Sequence, residues 1–312
     1  MKWLCTLLVL IASTAAAQYP AKPVRVIVPF PPGGTADLLS RTTAQKLAAS
    51  LGQQFIVESR AGAGGNLGAE FVYRAEPDGY TLLATPPHIL TVNPLLYTLA
   101  FDPTRFVPVS IIAAYPNVLR ATPRLAASTL DELIAQAKEN PGRLNIASQG
   151  NGTISHLSAE LLKSMASINL THVPYKGTAE WTQALLGGEV HFICDGAQWA
   201  PFVDSGKFRI LAMATERRIA KYKDVPTLKE RGIDVVGQSP YGLVGPKDLP
   251  ADVVEAVHLA FKAAMADPRV DALLDSYIQA PWYKTPAEYR AFAEKYFADV
   301  KPLLIKSGLA KG

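Results

Sequence analysis

Short β-branched runs alternate with helix-forming stretches from residue 24 onward, and the joints between them are rich in glycine. VRVIV (24–28) is followed by PFPPGGTAD (29–37), by a helical stretch carrying Leu39, Leu47 and Leu51 that Gly52 stops, and by QFIVE (54–58). Strand, helix and strand in that order write a βαβ unit, which argues for a parallel sheet covered by helices. A glycine-rich loop and a short helix near 69–74 lead into YTLLAT (80–85), so three βα units precede residue 100. The grammar restarts near residue 130. Thr129-x-x-Glu132 is a capping box opening a helix that Asn140-Pro141-Gly142 closes, and RLNIAS (143–148) is the next strand. SQGNGT (148–153), a helix near 155–166, LTHVPY (170–175), a helix near 179–186 ended by Gly187-Gly188, VHFICD (190–195) and RILAMA (209–214) continue the second series.

The C-terminal third is helical. Pro250 starts a helix whose face is Val254, Val257, Phe261 and Met265, and Thr285-Pro286-Ala287-Glu288 caps another lined by Tyr289, Phe292, Tyr296, Val300 and Leu303. Spacing of three to four residues marks these aromatic and aliphatic side chains as core. One α/β lobe, then a second, then helices returning over the first describe a bilobed α/β protein, with 18–118 and 239–312 in lobe one and 119–238 in lobe two. A ligand of such a fold belongs in the cleft, where strand carboxyl ends and helix N-termini face each other.

Residues 1–17 stand apart from this pattern. Lys2 precedes the apolar run WLCTLLVLIA, and Ala15-Ala16-Ala17 closes it with an A-x-A cleavage pattern. These are the marks of a secretory signal peptide, and the run is shorter than the ~20 apolar residues of a spanning helix. Its removal takes Cys5 and leaves Cys194 alone, so no intramolecular disulfide can form. The formal charge falls from +4 to +3 with the loss of Lys2, and no basic run argues for nucleic acid.

The glycine loops define the candidate chemistry. PFPPGGTAD has no lysine for a P-loop, and Gly62-Ala63-Gly64-Gly65-Asn66-Leu67-Gly68 puts Leu67 where a dinucleotide fingerprint needs its third glycine. What remains is a helix N-terminus with bare N–H groups and about half a positive charge, suited to a small anion such as a carboxylate. Gly33 and Gly34 admit close backbone approach, and Thr35 can cap or contact with its hydroxyl. Gly150-Asn151-Gly152-Thr153 repeats the arrangement in the second lobe. Each loop taken alone is equally a tight βα turn; two of them in two lobes point to a shared ligand. Charge-assisted hydrogen bonds of ~1.5–3 kcal/mol each suffice for a micromolar complex of about −8 kcal/mol.

The stretches VRVIVPFPPGGTAD, VESRAGAGGNLGAE, PDGYTLLAT, NPLLY, SQGNGTISHLSAELL, THVPYKGTAE, LLGGEV, SGKFRILAMAT and VPTLKERG resemble, in order, those of the periplasmic solute-binding receptors of tripartite tricarboxylate transporters, of the Bordetella-uptake-gene type. The resemblance implies a type II periplasmic-binding fold of two α/β lobes joined by two crossover strands. It also implies a monomeric periplasmic receptor that captures a di-, tri- or aromatic carboxylate and delivers it to membrane permease subunits, without cofactor or catalysis. By the resemblance, the loop around Phe30 with Gly33, Gly34, Thr35 and Asp37 holds one carboxylate from lobe one. Gln149, Gly152, Thr153 and Ser155 hold it from lobe two, and the loop at Asp195-Gly196 closes on the rest of the ligand. The chain departs from the family pattern at Ser59-Arg60-Ala61, where Asn-Arg-Pro is common, and at Pro240, where Trp is common. Pro86-Pro87-His88 is also unusual, which makes His88 a cleft-facing candidate for selecting the ligand.

The remaining candidates have competing readings. His88 is either a ligand contact or a turn residue. His156 follows the second glycine loop and either orients it or packs. His172, His191 and His258 fit no metal-binding spacing, and His191 and Cys194 point to opposite faces of a strand. Asp195 can accept a ligand amine or cap a helix at 196–199. A hydrolase would need a nucleophile beside its base, but the neighbours Ser155 and His156 diverge by about 100° on a helix, and no G-x-S-x-G elbow occurs. A sensor that presents its ligand to a membrane kinase has the same sequence signature as a transport receptor.

Overall fold

The computed structural model describes residues 19–196, 199–233, 235, 238–266, 268, 280–306 and 308–310. The expected signal peptide, 1–17, lies outside the described residues. The first series folds as read: β1 (Val24–Val28), α1 (Thr35–Leu51), β2 (Phe55–Ser59), α2 (Asn66–Tyr73) and β3 (Thr81–Thr85). β1 pairs in parallel with both β2 and β3, so its buried Val26, Ile27 and Val28 sit mid-sheet. α1 stops where Gly52 turns left-handed at φ 69° and donates its N–H to Ala48 O. Two short helices, α3 (His88–Thr91) and α4 (Asn93–Leu96), follow β3.

The longest strand, β4 (Val107–Ala121), is one the sequence reading omits. Pro108 and Pro116 interrupt its pattern, and a proline has no N–H for a ladder. The structure accommodates Pro108 at a register shift against its neighbour, and Pro116 where β4 changes partners. Val107–Pro116 pairs with β9 (Gln238–Gly245) in lobe one; Asn117–Ala121 pairs with strands of lobe two. β4 therefore crosses between lobes, and the expected boundary at 118 falls inside it.

The second series is α5 (Leu130–Glu139), β5 (Asn145–Ser148), α6 (Ile154–Ala166), β6 (Thr171–Pro174), α7 (Thr178–Gly187), β7 (Phe192–Asp195), α8 (Ala200–Asp204) and β8 (Arg209–Ala214). β5 lies between β6 and β7, parallel to both, while β7 and β8 run antiparallel to β4. Thr129 Oγ1 caps α5 by accepting the Glu132 N–H at 3.2 Å, and the Glu132 carboxylate reaches back to the Ser128 N–H at 2.7 Å. The box thus closes one residue upstream of its expected partner. The helix expected at 196–199 starts instead at Ala200.

β9 returns the chain to lobe one antiparallel to β3, and α9 (Ala251–Met265), β10 (Ala280–Lys284) and α10 (Pro286–Lys306) complete it. Val254, Val257 and Phe261 of α9 and Tyr289 of α10 enter the lobe-one core with Leu39, Leu47, Leu82 and Leu83. The lobe-two core gathers Leu133, Ile146, Leu162, Phe192, Cys194 and Leu211. Burial pushes the Cys194 thiol up to about 12, so it packs as a small apolar side chain. Further along α10, Tyr296 and Val300 pack on Val92, Leu157 and Leu304, a cluster that joins both lobes. Leu304 is the buried leucine there; the side chain of Leu303 lies outside the described residues.

Candidate functional site

Three helices of lobe one and lobe two begin at one cavity of about 400 Å³, counting its opening to solvent. Thr35 and Ala36 open α1, Thr153, Ile154 and Ser155 open α6, Thr178 opens α7, and all six residues line the wall. None of the three helices has a side-chain hydrogen bond capping its first turn. The leading N–H groups of a helix have no partner within it, and each end carries about half a positive charge. Together these ends outweigh one full charge and favour an anion between them.

Local sequence explains why the ends stay bare. Gly34 and Gly177 stand at the N-cap positions of α1 and α7 and have no side chain to cap with. Thr153, at the N-cap of α6, caps no N–H of the helix, because its hydroxyl donates to Gly150 O at 2.7 Å and lies 3.1 Å from Ser155 Oγ. Ser155 Oγ accepts the Gln149 N–H at 3.0 Å, and His156 Nδ1 accepts the Gly152 N–H at 3.0 Å. His156 therefore orients the loop, as one reading of the sequence held. An acceptor Nδ1 is unprotonated, in keeping with a ring whose pKa burial lowers. His172 stacks on it with centroids 4.2 Å apart and bonds Ser148 Oγ at 2.6 Å, and burial pushes its pKa down to about 4.

Of the residues expected to meet the ligand, Phe30, Thr35, His88, Gln149, Thr153, Ser155 and Asp195 line the cavity. Thr35 is buried, and its hydroxyl has no hydrogen-bond partner among the described residues. The other expected residues sit behind the wall. Gly33, at φ 83°, donates its N–H to Asp37 Oδ2 at 3.1 Å, and Arg41 pairs with the same carboxylate. Asp37 therefore ties down the loop that presents α1; as an acceptor-only group it would repel the carboxylate it was expected to hold. Gly34 and Gly152 matter for close approach between lobes. A Cβ on Gly152 would lie 2.6 Å from Leu96 Cδ1, and one on Gly34 would lie 3.3 Å from Thr178 Oγ1. Tyr97 adds a direct link by donating its hydroxyl to Asn151 O at 2.9 Å. Gly196 makes room for a wall residue, since a Cβ there would meet Tyr115 Cδ2 at 2.1 Å.

Sequence reading misses several wall residues: Ala36, Tyr115, Ile154, Thr178 and Tyr241. Thr178 had a signal, for Gly177-Thr178 repeats the Gly-Thr step of 34–35 and 152–153. Arg120 had none. It is wholly buried, donates from Nη1 to Asp195 O at 3.0 Å, and places Nη2 at 3.7 Å from Asp195 Oδ1. Its guanidinium stacks 4.6 Å from the Trp181 ring centre, and Gln149 Nε2 donates to Asp195 Oδ2 at 2.8 Å. Burial lowers the Arg120 pKa to about 10, still far above neutrality, so Arg120 balances the charge that Asp195 brings to the wall. The helix ends then set the sign of the cavity.

A sequence profile described as Tripartite tricarboxylate transporter family receptor matches residues 39–309. The chain belongs to this receptor family. The family is one of solute-binding receptors rather than enzymes. The chain is 38% identical over 303 residues to the UPF0065 protein in the gbd 5' region of Cupriavidus necator, covering 96% of this chain and 92% of that one. Among solved structures, a Rhodopseudomonas palustris protein, Rpa4515 with adipate, superposes with a TM-score of 0.89 at 31% identity, over 94% of this receptor and 99% of that chain. MatC from the same organism, with bound malate, gives 0.86 at 28% identity over 92% of this receptor and 100% of that chain. The two-lobed substrate-binding fold is thus shared over nearly the whole receptor.

Proposed function

We propose that this receptor captures one small organic carboxylate between its lobes, in the periplasm, and passes it to the membrane permease subunits of a tripartite tricarboxylate-type transporter. The observation that carries the reading is the convergence of three uncapped helix N-termini on one cavity. Thr35, Thr153, Ser155 and the first-turn N–H groups of α1, α6 and α7 hold the carboxylate, while Gly33, Gly34, Gly152 and Asp37 shape the loops that present them. The remaining wall, with Phe30, His88, Gln149 and Asp195 over Gly196, meets the body of the ligand. Relatives seen with adipate and with malate support an acid as cargo. The change of β4 partners at Pro116 and Asn117 supports a lobe division close to 18–118 with 239–312 against 119–238. On this reading residues 1–17 are the signal peptide for export, and the exported receptor works as a monomer. Calorimetric titration with organic acids and their neutral amides tests the core of this reading. Binding of an acid with no binding of its amide is expected; equal binding of both would remove the carboxylate from the argument.

A further inference from the structure

The helix ends account for one pole of the ligand, and the rest of the wall constrains the other. Most of it comes from the lobe-one sheet, with Phe30 past β1, Pro86 and His88 past β3, Tyr115 on β4 and Tyr241 on β9, and lobe two adds Gln149 and Asp195, which bond each other. Among the described residues, no lysine or arginine lines the cavity, and the carboxylate of Asp195 already faces Arg120. Tyr241 has its hydroxyl committed, donating to Ala84 O at 2.7 Å. His88 differs. It is 3% exposed, its ring lies 6.3 Å from that of Phe30, and neither ring nitrogen has a hydrogen-bond partner among the described residues. Buried polar atoms are almost always paired, and an unpaired one costs its desolvation.

A neutral imidazole presents one N–H and one lone pair. A carboxylate only accepts, so it can satisfy the N–H alone, and here its charge would meet no cation. A hydroxyl or carboxamide can accept from the ring N–H in one tautomer or donate to the ring lone pair in the other, and brings no charge. We propose that the ligand is a singly charged carboxylate whose far end carries a neutral hydrogen-bonding group, a hydroxyl or carboxamide, read by His88. This rests on the helix ends as the carboxylate clamp. It assigns the receptor a selectivity unlike that of the relatives seen with the diacids adipate and malate. Protonating His88 to balance a second carboxylate is disfavoured, because burial pushes its pKa down to about 3.

Two matched series test it by calorimetric titration at pH 7.5: hexanoate, 6-hydroxyhexanoate, the monoamide of adipate and adipate; and benzoate, 4-hydroxybenzoate and terephthalate. In at least one series the hydroxy or amide acid should bind ten-fold or more tightly than both the diacid and the unsubstituted acid. His88→Phe should erase that preference while the unsubstituted acid still binds, and His88→Gln, which donates and accepts, should keep it. A diacid or unsubstituted acid binding as tightly as the hydroxy acid in both series, or a preference that survives His88→Phe, overturns the assignment to His88. If no acid of either series binds, the carboxylate clamp itself fails, and this inference fails with it.

Discussion

Replacing Arg120 with methionine should cost the second lobe more than any other single change near the cavity. The variant loses a charge-assisted bond to Asp195 O at 3.0 Å, an ion pair at 3.7 Å and a stacking contact with Trp181 at 4.6 Å. The bond contributes ~1.5–3 kcal/mol and the desolvated stacking ~2 kcal/mol. These agree with the ~3–5 kcal/mol lost when one partner of a buried pair is removed. Asp195, 3% exposed, keeps its charge and the bond from Gln149 but loses the guanidinium beside it. Urea unfolding followed by circular dichroism should therefore find Arg120→Met less stable than the parent by ~3–5 kcal/mol. Adding Asp195→Asn removes the stranded charge and keeps an acceptor for Gln149, and should recover most of the loss. Arg120 Nε and Nη2 lack hydrogen-bond partners among the described residues, so the native pair is itself imperfectly compensated. A single variant within ~1 kcal/mol of the parent, or no recovery in the double variant, would refute the reasoning, since breaking a buried pair costs several times that.

Acid should weaken the native state above the carboxylate range. Burial holds His88 and His172 at about 3 and about 4, below the ordinary imidazole value of 6.5, so the unfolded chain takes up protons first and stability should fall from pH 6.5 to 4.5; a flat urea midpoint over that window contradicts the burial assigned to both rings. Gly196→Ala puts a Cβ 2.1 Å from Tyr115 Cδ2, which should destabilise by ~1–3 kcal/mol. Unchanged melting would mean that Tyr115 can move aside freely. Tyr97→Phe removes the link to Asn151 O and should weaken binding of the tightest acid about five-fold, close to ~1 kcal/mol, without changing the fold; an unaltered Kd by calorimetry would make that link irrelevant to closure. Asp37→Ala leaves the Gly33 N–H without its acceptor and should lower both stability and affinity, with Asp37→Asn milder in both respects. Equal behaviour of the two variants would count against the loop-fastening role.

Much of the fold was legible because its signals are local. β-branched runs of about five residues, leucines at helical spacing and the capping box at Thr285, where Glu288 accepts the Thr285 N–H at 2.8 Å, each act within a few residues of themselves. The glycine loops were legible as turns into helices without a capping side chain for the same reason. β4 was not, because prolines that suppress a strand pattern locally are tolerated where the ladder shifts register or changes partners. The contacts of Asp37 were not legible from its place in a motif either. Position in the chain puts it in the first turn of α1, and only the fold turns it toward Gly33 and Arg41.

The order and type of the elements, the two bare glycine turns and the lack of any nucleotide fingerprint follow from the sequence, since each depends on residues close in the chain. Only the tertiary structure decides that α7 supplies a third helix end to the same cavity, that Arg120 meets Asp195 across 75 positions, and that Tyr97 joins Asn151 across 54. It also decides that His88 loses its solvent while gaining no partner. Those outcomes depend on which surfaces the crossing strands bring together and on which polar atoms that packing leaves dry, and no local pattern encodes either.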